Sequence, residues 1–221
     1  MALGTKAPEE VVQRLRIAML YDKPIYVQYY YWFKGIFRGD LGLSLVTKHP
    51  VLEDIKQVFP ATFELAIFAF IFIIVTGITV GVISARYNNT WVDNLGRLVA
   101  YFGVITPSFV FAIMGMLIFC YVLKVLPTMG RLSPELICPP KITGLITIDA
   151  LIQGNFIVFV DALKHLILPT VSLGLLGMAE DARITRSSVY NNMRKDYIVA
   201  AQSYGIPERV IMFRDLLKPS L

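Results

Sequence analysis

The residue types that perform covalent chemistry are scarce in this chain. Two cysteines, Cys120 and Cys138, and two histidines, His49 and His165, fall in no metal-ligand spacing. No phosphate-cradling glycine loop, Gly-x-Ser-x-Gly elbow or Cys-x-x-Cys pair occurs. Asp181 and Arg183 stand close in sequence and are expected to form a structural ion pair rather than a catalytic one. The segment with a readable task is non-covalent. Asp196-Tyr197-Ile198-Val199-Ala200-Ala201-Gln202-Ser203-Tyr204-Gly205 reads as a short helix ending at a glycine, with Pro207 blocking its continuation. Ala200 and Ala201 are small, so a partner's groove can approach this face, as in helix-in-groove docking.

The elements around that helix are apolar. Of 221 residues, 56% are hydrophobic and 17% charged. This excludes a disordered chain and argues against a nucleic-acid-binding domain, despite the net charge of +5. Leu65–Ala85 is a run of 21 residues without a charge, enough to cross a bilayer core of roughly 30 Å. Leu98–Leu123 is a second, of 26 residues, and Pro107 within it should kink it or mark a handover between two helices. Leu166–Ala179 gives 14 uncharged residues and spans only if it extends through Glu180–Arg186. The expected fold is therefore all-α, a polytopic helical membrane protein with about three transmembrane helices. Neither long run holds a carboxylate, Lys, Arg or His, which argues against a proton-driven transporter. Gly77 and Gly81, like Gly174 and Gly177, can let helices approach closely.

The connecting segments have their own patterns. Pro8, Glu9 and Glu10 open a helix whose apolar face runs from Val11 to Met19. Aromatic residues crowd Tyr26 to Phe37, as an interfacial belt or as packing against a bundle. Arg38-Gly39-Asp40-Leu41-Gly42 reads as a turn, and Val51–Val58 as an amphipathic helix leading to Pro60. Residues 124–164 form a long Pro- and Gly-rich connection, in which Ile142–Ile148 and Ala150–Val160 are apolar enough to lie on the membrane surface or re-enter it. From Glu180 onward the chain is charged. The density of Lys and Arg in Arg86–Arg97 and Glu180–Leu221 favours the cytoplasm for both.

The ordered series of segments resembles one family: the inner-membrane permease subunits of ABC importers, in the dipeptide and oligopeptide branch. Val199-Ala200-Ala201 and Gly205 are similar to that family's cytoplasmic Glu-Ala-Ala…Gly loop, with Val199 in the Glu position, and Leu216-Leu217-Lys218-Pro219 is similar to its Ile-x-Leu-Pro ending. Ala7-Pro8-Glu9-Glu10-Val11, Arg38-Gly39-Asp40-Leu41-Gly42, Pro60-Ala61-Thr62, Pro107-Ser108-Phe109, His165-Leu166-Ile167-Leu168-Pro169 and Asp196-Tyr197 also match the branch.

The resemblance implies an extracytoplasmic helical segment over 1–61 and a permease domain over 62–221. The domain would have spans near 63–85, 98–123 and 165–186, an external loop over 124–164 and a cytoplasmic loop over 187–221. Members have six spans, so the chain is expected to be a fragment lacking the first and last ones. The implied function is ATP-driven, binding-protein-dependent import of di- or oligopeptides, with oligosaccharides, nickel or glutathione as alternative cargo. A membrane scaffold or non-transporting subunit is the alternative of another class. The implied partners are a second permease subunit, cytoplasmic ATPases, an extracytoplasmic substrate-binding protein and lipid, with no nucleic acid and no cofactor. The chain itself would not be an enzyme. Asp196, Tyr197, Ala200, Ala201, Gly205, Ile206 and Pro207 would couple it to the ATPase. The sequence assigns no pathway residue, and Thr76, Thr79, Ser108 and Ser172 are polar candidates in or beside the spans.

Overall fold

The computed structural model describes residues 22–44, 46–207 and 210–218, together with Gln13. The helix expected from Pro8 to Met19 lies outside the described residues, as do Glu208, Arg209 and Pro219. The chain divides into two compact units, residues 1–60 and 61–221. Among the described residues its regular elements are all helical, joined by loops such as 123–145, apart from one isolated bridge between Leu43 and Pro50.

In the first unit, α1 (Ile25–Ile36) carries the aromatic cluster and buries none of its residues. Its rings pack on one another, Tyr29 on Phe33 at 6.0 Å and Phe33 edge-on to Phe37 at 5.0 Å. The expected turn follows, with Gly39 and Gly42 at positive φ and the Asp40 carboxylate accepting from the Gly42 amide at 2.9 Å.

Helix α2 runs from Val51 to Arg86, so Pro60 does not end the helix begun at Val51. Proline removes one ladder hydrogen bond, and the long apolar continuation sustains the helix past that gap. The second apolar run is not one straight span. It divides into α3 (Trp91–Ile105) and α4 (Ser108–Gly115), bent by 105° at Thr106–Pro107. Thr106 is extended there, as a residue preceding proline prefers. Helix α4 continues as π-helical turns over Met116–Val122.

The connection ends at residue 155, not 164. It contains α5 (Ile146–Ile152), and α6 then runs over Phe156–Asn192. Asn155 starts α6 early by accepting the Val158 amide at 3.2 Å. Ala150 and Val158, expected on a membrane surface, bury each other together with Ile146 and Ala162. Helices α2 and α6 are long and apolar enough to cross a membrane, and the bent α3–α4 pair brings the number of crossings to three if it counts as one.

Glycines set the packing of α2 on α6. Phe72 and Ile73 lie over Gly174 and Gly177. Gly77 faces Met178 and Asp181, and Gly81 faces Ala182 and Thr185. The numbers rise together along both helices, so α2 and α6 are parallel. Along α3 and α4 they run the other way: Asp93 meets Arg186, Gly103 meets Ala179, and Gly115 meets Leu168. The α2–α3 turn and the C-terminus of α6 therefore share one end of the unit, and residues 61–65 and 123–155 share the other.

Each end is closed around a buried carboxylate. At the connection end Glu64, 3% exposed, accepts from Arg131 Nη2 at 2.5 Å, from the Thr147 amide at 2.8 Å and from the Thr147 hydroxyl at 2.6 Å. Nearby, Asp149 gathers the loop before α5, accepting the amides of Ile142, Thr143 and Gly144 and the Thr143 hydroxyl. Burial raises its pKa, but these hydrogen bonds outweigh it and hold the carboxyl below the usual carboxylate range.

At the opposite end Asp93 is 0% exposed. Arg186 grips it with Nε at 2.7 Å and Nη2 at 2.8 Å, Arg97 reaches it with Nη2 at 2.6 Å, and the Asn89 amide donates at 3.0 Å. Arg186 also donates to the Asn88 side chain at 2.9 Å. The pair expected between Asp181 and Arg183 is replaced by this one. Side chains two apart on a helix do not face each other, and Asp181 instead lies against Gly77.

Three outcomes follow for the folded chain in detergent. Gly81→Val would place a Cβ 2.8 Å from the Ala182 carbonyl oxygen, which belongs to backbone and cannot yield. A loss of about 1–3 kcal/mol in an unfolding titration is expected, and an unchanged midpoint would refute the close seam. Asp93→Asn should cost about 3 kcal/mol by stranding Arg186, and Arg97→Gln, whose side chain is 38% exposed, under about 1 kcal/mol. Equal costs would refute that ranking. For Asp149, whose pKa is lower folded than unfolded, the stabilisation is complete above the unfolded value of about 4 and is lost as pH falls through the folded one. Limited proteolysis of residues 137–145 should therefore be flat from about pH 8 to 5 and rise only in stronger acid, whereas Asp149→Asn should be cut readily throughout.

Candidate functional site

The segment expected to dock a partner lies at the Asp93 end. Helix α6 finishes at Asn192, Lys195 is extended, and α7 covers Asp196–Ser203. Asp196 stands in its first turn, where a carboxylate suits the helix dipole. Arg194 covers the Tyr190 ring at 4.5 Å and hydrogen-bonds its hydroxyl.

Helix α7 is anchored through its inner side. Ile198 is 1% exposed and packs with Ile211, Met212 and Leu216 of the π-helical segment Ile211–Leu217. Val82 of α2, Met193 after α6, Ala201 and Ile206 pack around this cluster. The base of α7 is thus shared with two of the long helices.

Its end is a glycine-closed cap. Gly205 has φ +71°, and its amide donates to the Gln202 carbonyl at 3.0 Å. The Ile206 amide reaches back to the Ala201 carbonyl at 3.2 Å, while Ile206 and Ala201 pack on the same cluster. Nothing stands within 4 Å of a Cβ built on Gly205, so the glycine is needed for backbone conformation and not for space. The Pro207 carbonyl then accepts the Val210 and Ile211 amides and starts the next helical turns.

The expected residues therefore divide by side. Tyr197, Ala200 and Tyr204 occupy positions i, i+3 and i+7 and form an exposed stripe, with Tyr197 at 45% and Tyr204 at 87%. Ala200 makes a notch between the two tyrosines. Ala201 and Ile206 turn inward and are half-buried. Asp196, Gly205 and Pro207 are exposed. Thr76, Thr79 and Ser172 are satisfied locally, each donating to the carbonyl four residues earlier. Val82, Met193 and the Ile211–Leu216 cluster are not legible in the sequence as parts of the site, because their contact with Ile198 joins separate segments.

Known proteins resemble this chain along most of its length. The probable D,D-dipeptide transport system permease protein DdpB of Escherichia coli (strain K12) is 39% identical over 204 residues, covering 92% of this chain and 60% of its own length. The dipeptide transport system permease protein DppB of Alkalihalophilus pseudofirmus is 39% identical over 221 residues, covering 99% and 66%. The glutathione transport system permease protein GsiC of Pectobacterium atrosepticum is 29% identical over 221 residues, covering 100% and 63%. The chain thus spans roughly three-fifths to two-thirds of the length of these relatives. Residues 77–221 match the family described as binding-protein-dependent transport system inner membrane component, and the chain belongs to that family.

Proposed function

We propose that the chain is the membrane-spanning permease part of an ATP-driven importer of di- or oligopeptides, with α7 as the element on which a separate cytoplasmic ATPase acts. The observation that carries this reading is the two-sidedness of α7. An exposed Tyr197–Ala200–Tyr204 stripe faces outward, and the inner side is locked through Ile198 onto Val82 of α2 and Met193 at the end of α6. A partner groove that closes over the stripe moves the Ile198 cluster, and the parallel helices α2 and α6 receive the displacement at their shared end. Family membership supports a substrate-binding protein on the opposite side and a second permease subunit completing the pathway. The basic residues at the α7 end favour the cytoplasm for that end by the positive-inside rule. For cargo, dipeptide permeases at 39% identity favour peptides over the glutathione reading, which rests on a relative at 29%.

Two substitutions in the full-length permease, expressed with its ATPase, test the coupling role. Gly205→Val forces a β-branched residue into the left-handed region, a strain of about 1–3 kcal/mol that should unseat the cap. Membrane insertion should persist while uptake of labelled dipeptide falls at least about tenfold. Ala200→Trp fills the notch without touching the Ile198 cluster and should abolish co-purification of the ATPase. Wild-type uptake and ATPase recovery in both variants would overturn the proposal.

A further inference from the structure

A crevice of about 150 Å³ opens between α2, α3 and α6 at the same end of the unit. Its lining changes in character along α3. Arg97 lies towards the helix ends, as do Arg183 and Arg186 of α6, and Ala100 and Val104 follow further along α3. From Arg97 to Val104 the descent along α3 is about 10 Å at 1.5 Å per residue. A basic rim above an apolar slot is the layout of a phospholipid, an anionic head above an acyl chain.

The charge balance calls for an anion. Of the three guanidinium groups in the lining, Arg97 and Arg186 share one carboxylate, Asp93, which has no exposed surface, and Arg183 has none. Asp93 takes only Nε and Nη2 of Arg97 and Arg186, so both Nη1 groups keep their protons for another acceptor. Arg183 is exposed and has no ion-pair or hydrogen-bond partner among the described residues. Glu180 and Asp181 do not line the crevice. Exposed Trp91 and Tyr87 stand at the α2–α3 turn, at the level where aromatic rings mark the membrane interface.

We propose that this crevice binds one anionic phospholipid, its phosphate held by Arg183 with Arg97 and Arg186 and its acyl chain laid along Ala100 and Val104. The test is native mass spectrometry of the full chain in detergent, stripped of lipid and titrated separately with phosphatidylglycerol and phosphatidylcholine. Phosphatidylglycerol should be retained several-fold better. Arg183→Gln should weaken it about fivefold, in line with one lost cationic contact. Ala100→Leu, which fills the slot and leaves the charge intact, should weaken it as well, and Arg194→Gln, outside the crevice, should not. Helical circular dichroism confirms that each variant is folded. Equal retention of the two lipids, or an Arg194→Gln effect as large as that of Arg183→Gln, would refute a built site. Displacement by inorganic phosphate alone would assign the arginines to a free anion and overturn the lipid. Loss of phosphatidylglycerol when the complete transporter is assembled would give the crevice to a protein neighbour and overturn the lipid equally.

Discussion

The carboxylate of Asp93 is the constraint around which the α7 end of the unit is organised. A buried carboxylate is tolerable only when every lone pair is used and its charge is matched, because its desolvation costs several kcal/mol. Arg186 comes from α6, Arg97 from α3 and the Asn89 amide from the α2–α3 turn, so meeting that condition brings three pieces of chain together. Arg186 binds through two donors in the planar fork that suits a carboxylate. Helix α6 runs only six residues beyond Arg186, to Asn192, and α7 follows at Asp196.

Between that end and the other, the glycine seam makes the bundle stiff. Gly77, Gly81, Gly174 and Gly177 bring the backbones of α2 and α6 into contact, and side chains from one helix fill the space left by the other. Such an interface transmits a push with little local give, since close-packed atoms have no slack to absorb it. The Glu64 cluster closes the far end in the same manner as Asp93, joining α2 to Arg131 and Thr147 of the connection. Val82 and Met193 thus sit at one end of a seam clamped at both extremities.

Local signals carry from sequence to structure, and long-range ones are not there to be read. The uncharged run of α2, the break at Pro107 and the closure of α7 at Gly205 are decided within a few residues, by hydropathy, by a missing N–H and by a positive φ. The site's framework is different. Asp93 and Arg186 are 93 positions apart, and Glu64 and Thr147 are 83 apart. Glu64 looks like the edge of an apolar run until Arg131 and Thr147 close over it. Asp181 and Arg183 look like partners, yet sequence proximity is not facial proximity on a helix. Ala200 and Ala201 look equivalent as letters, and only the packing around Ile198 shows that Ala200 is exposed and Ala201 turns inward.

The parallel course of α2 and α6 also settles a matter of parity. A chain that leaves α2 on one side of the bilayer and enters α6 on the other has traversed it once in between. The stretch joining them has one segment with the apolar length to do so, the bent pair α3–α4. If α2 and α6 both span, their parallel course makes that pair, 105° elbow included, the crossing between them. In such a crossing the elbow sits away from both ends of the unit, and Pro107, which has no N–H, takes up no carbonyl of the preceding turn there.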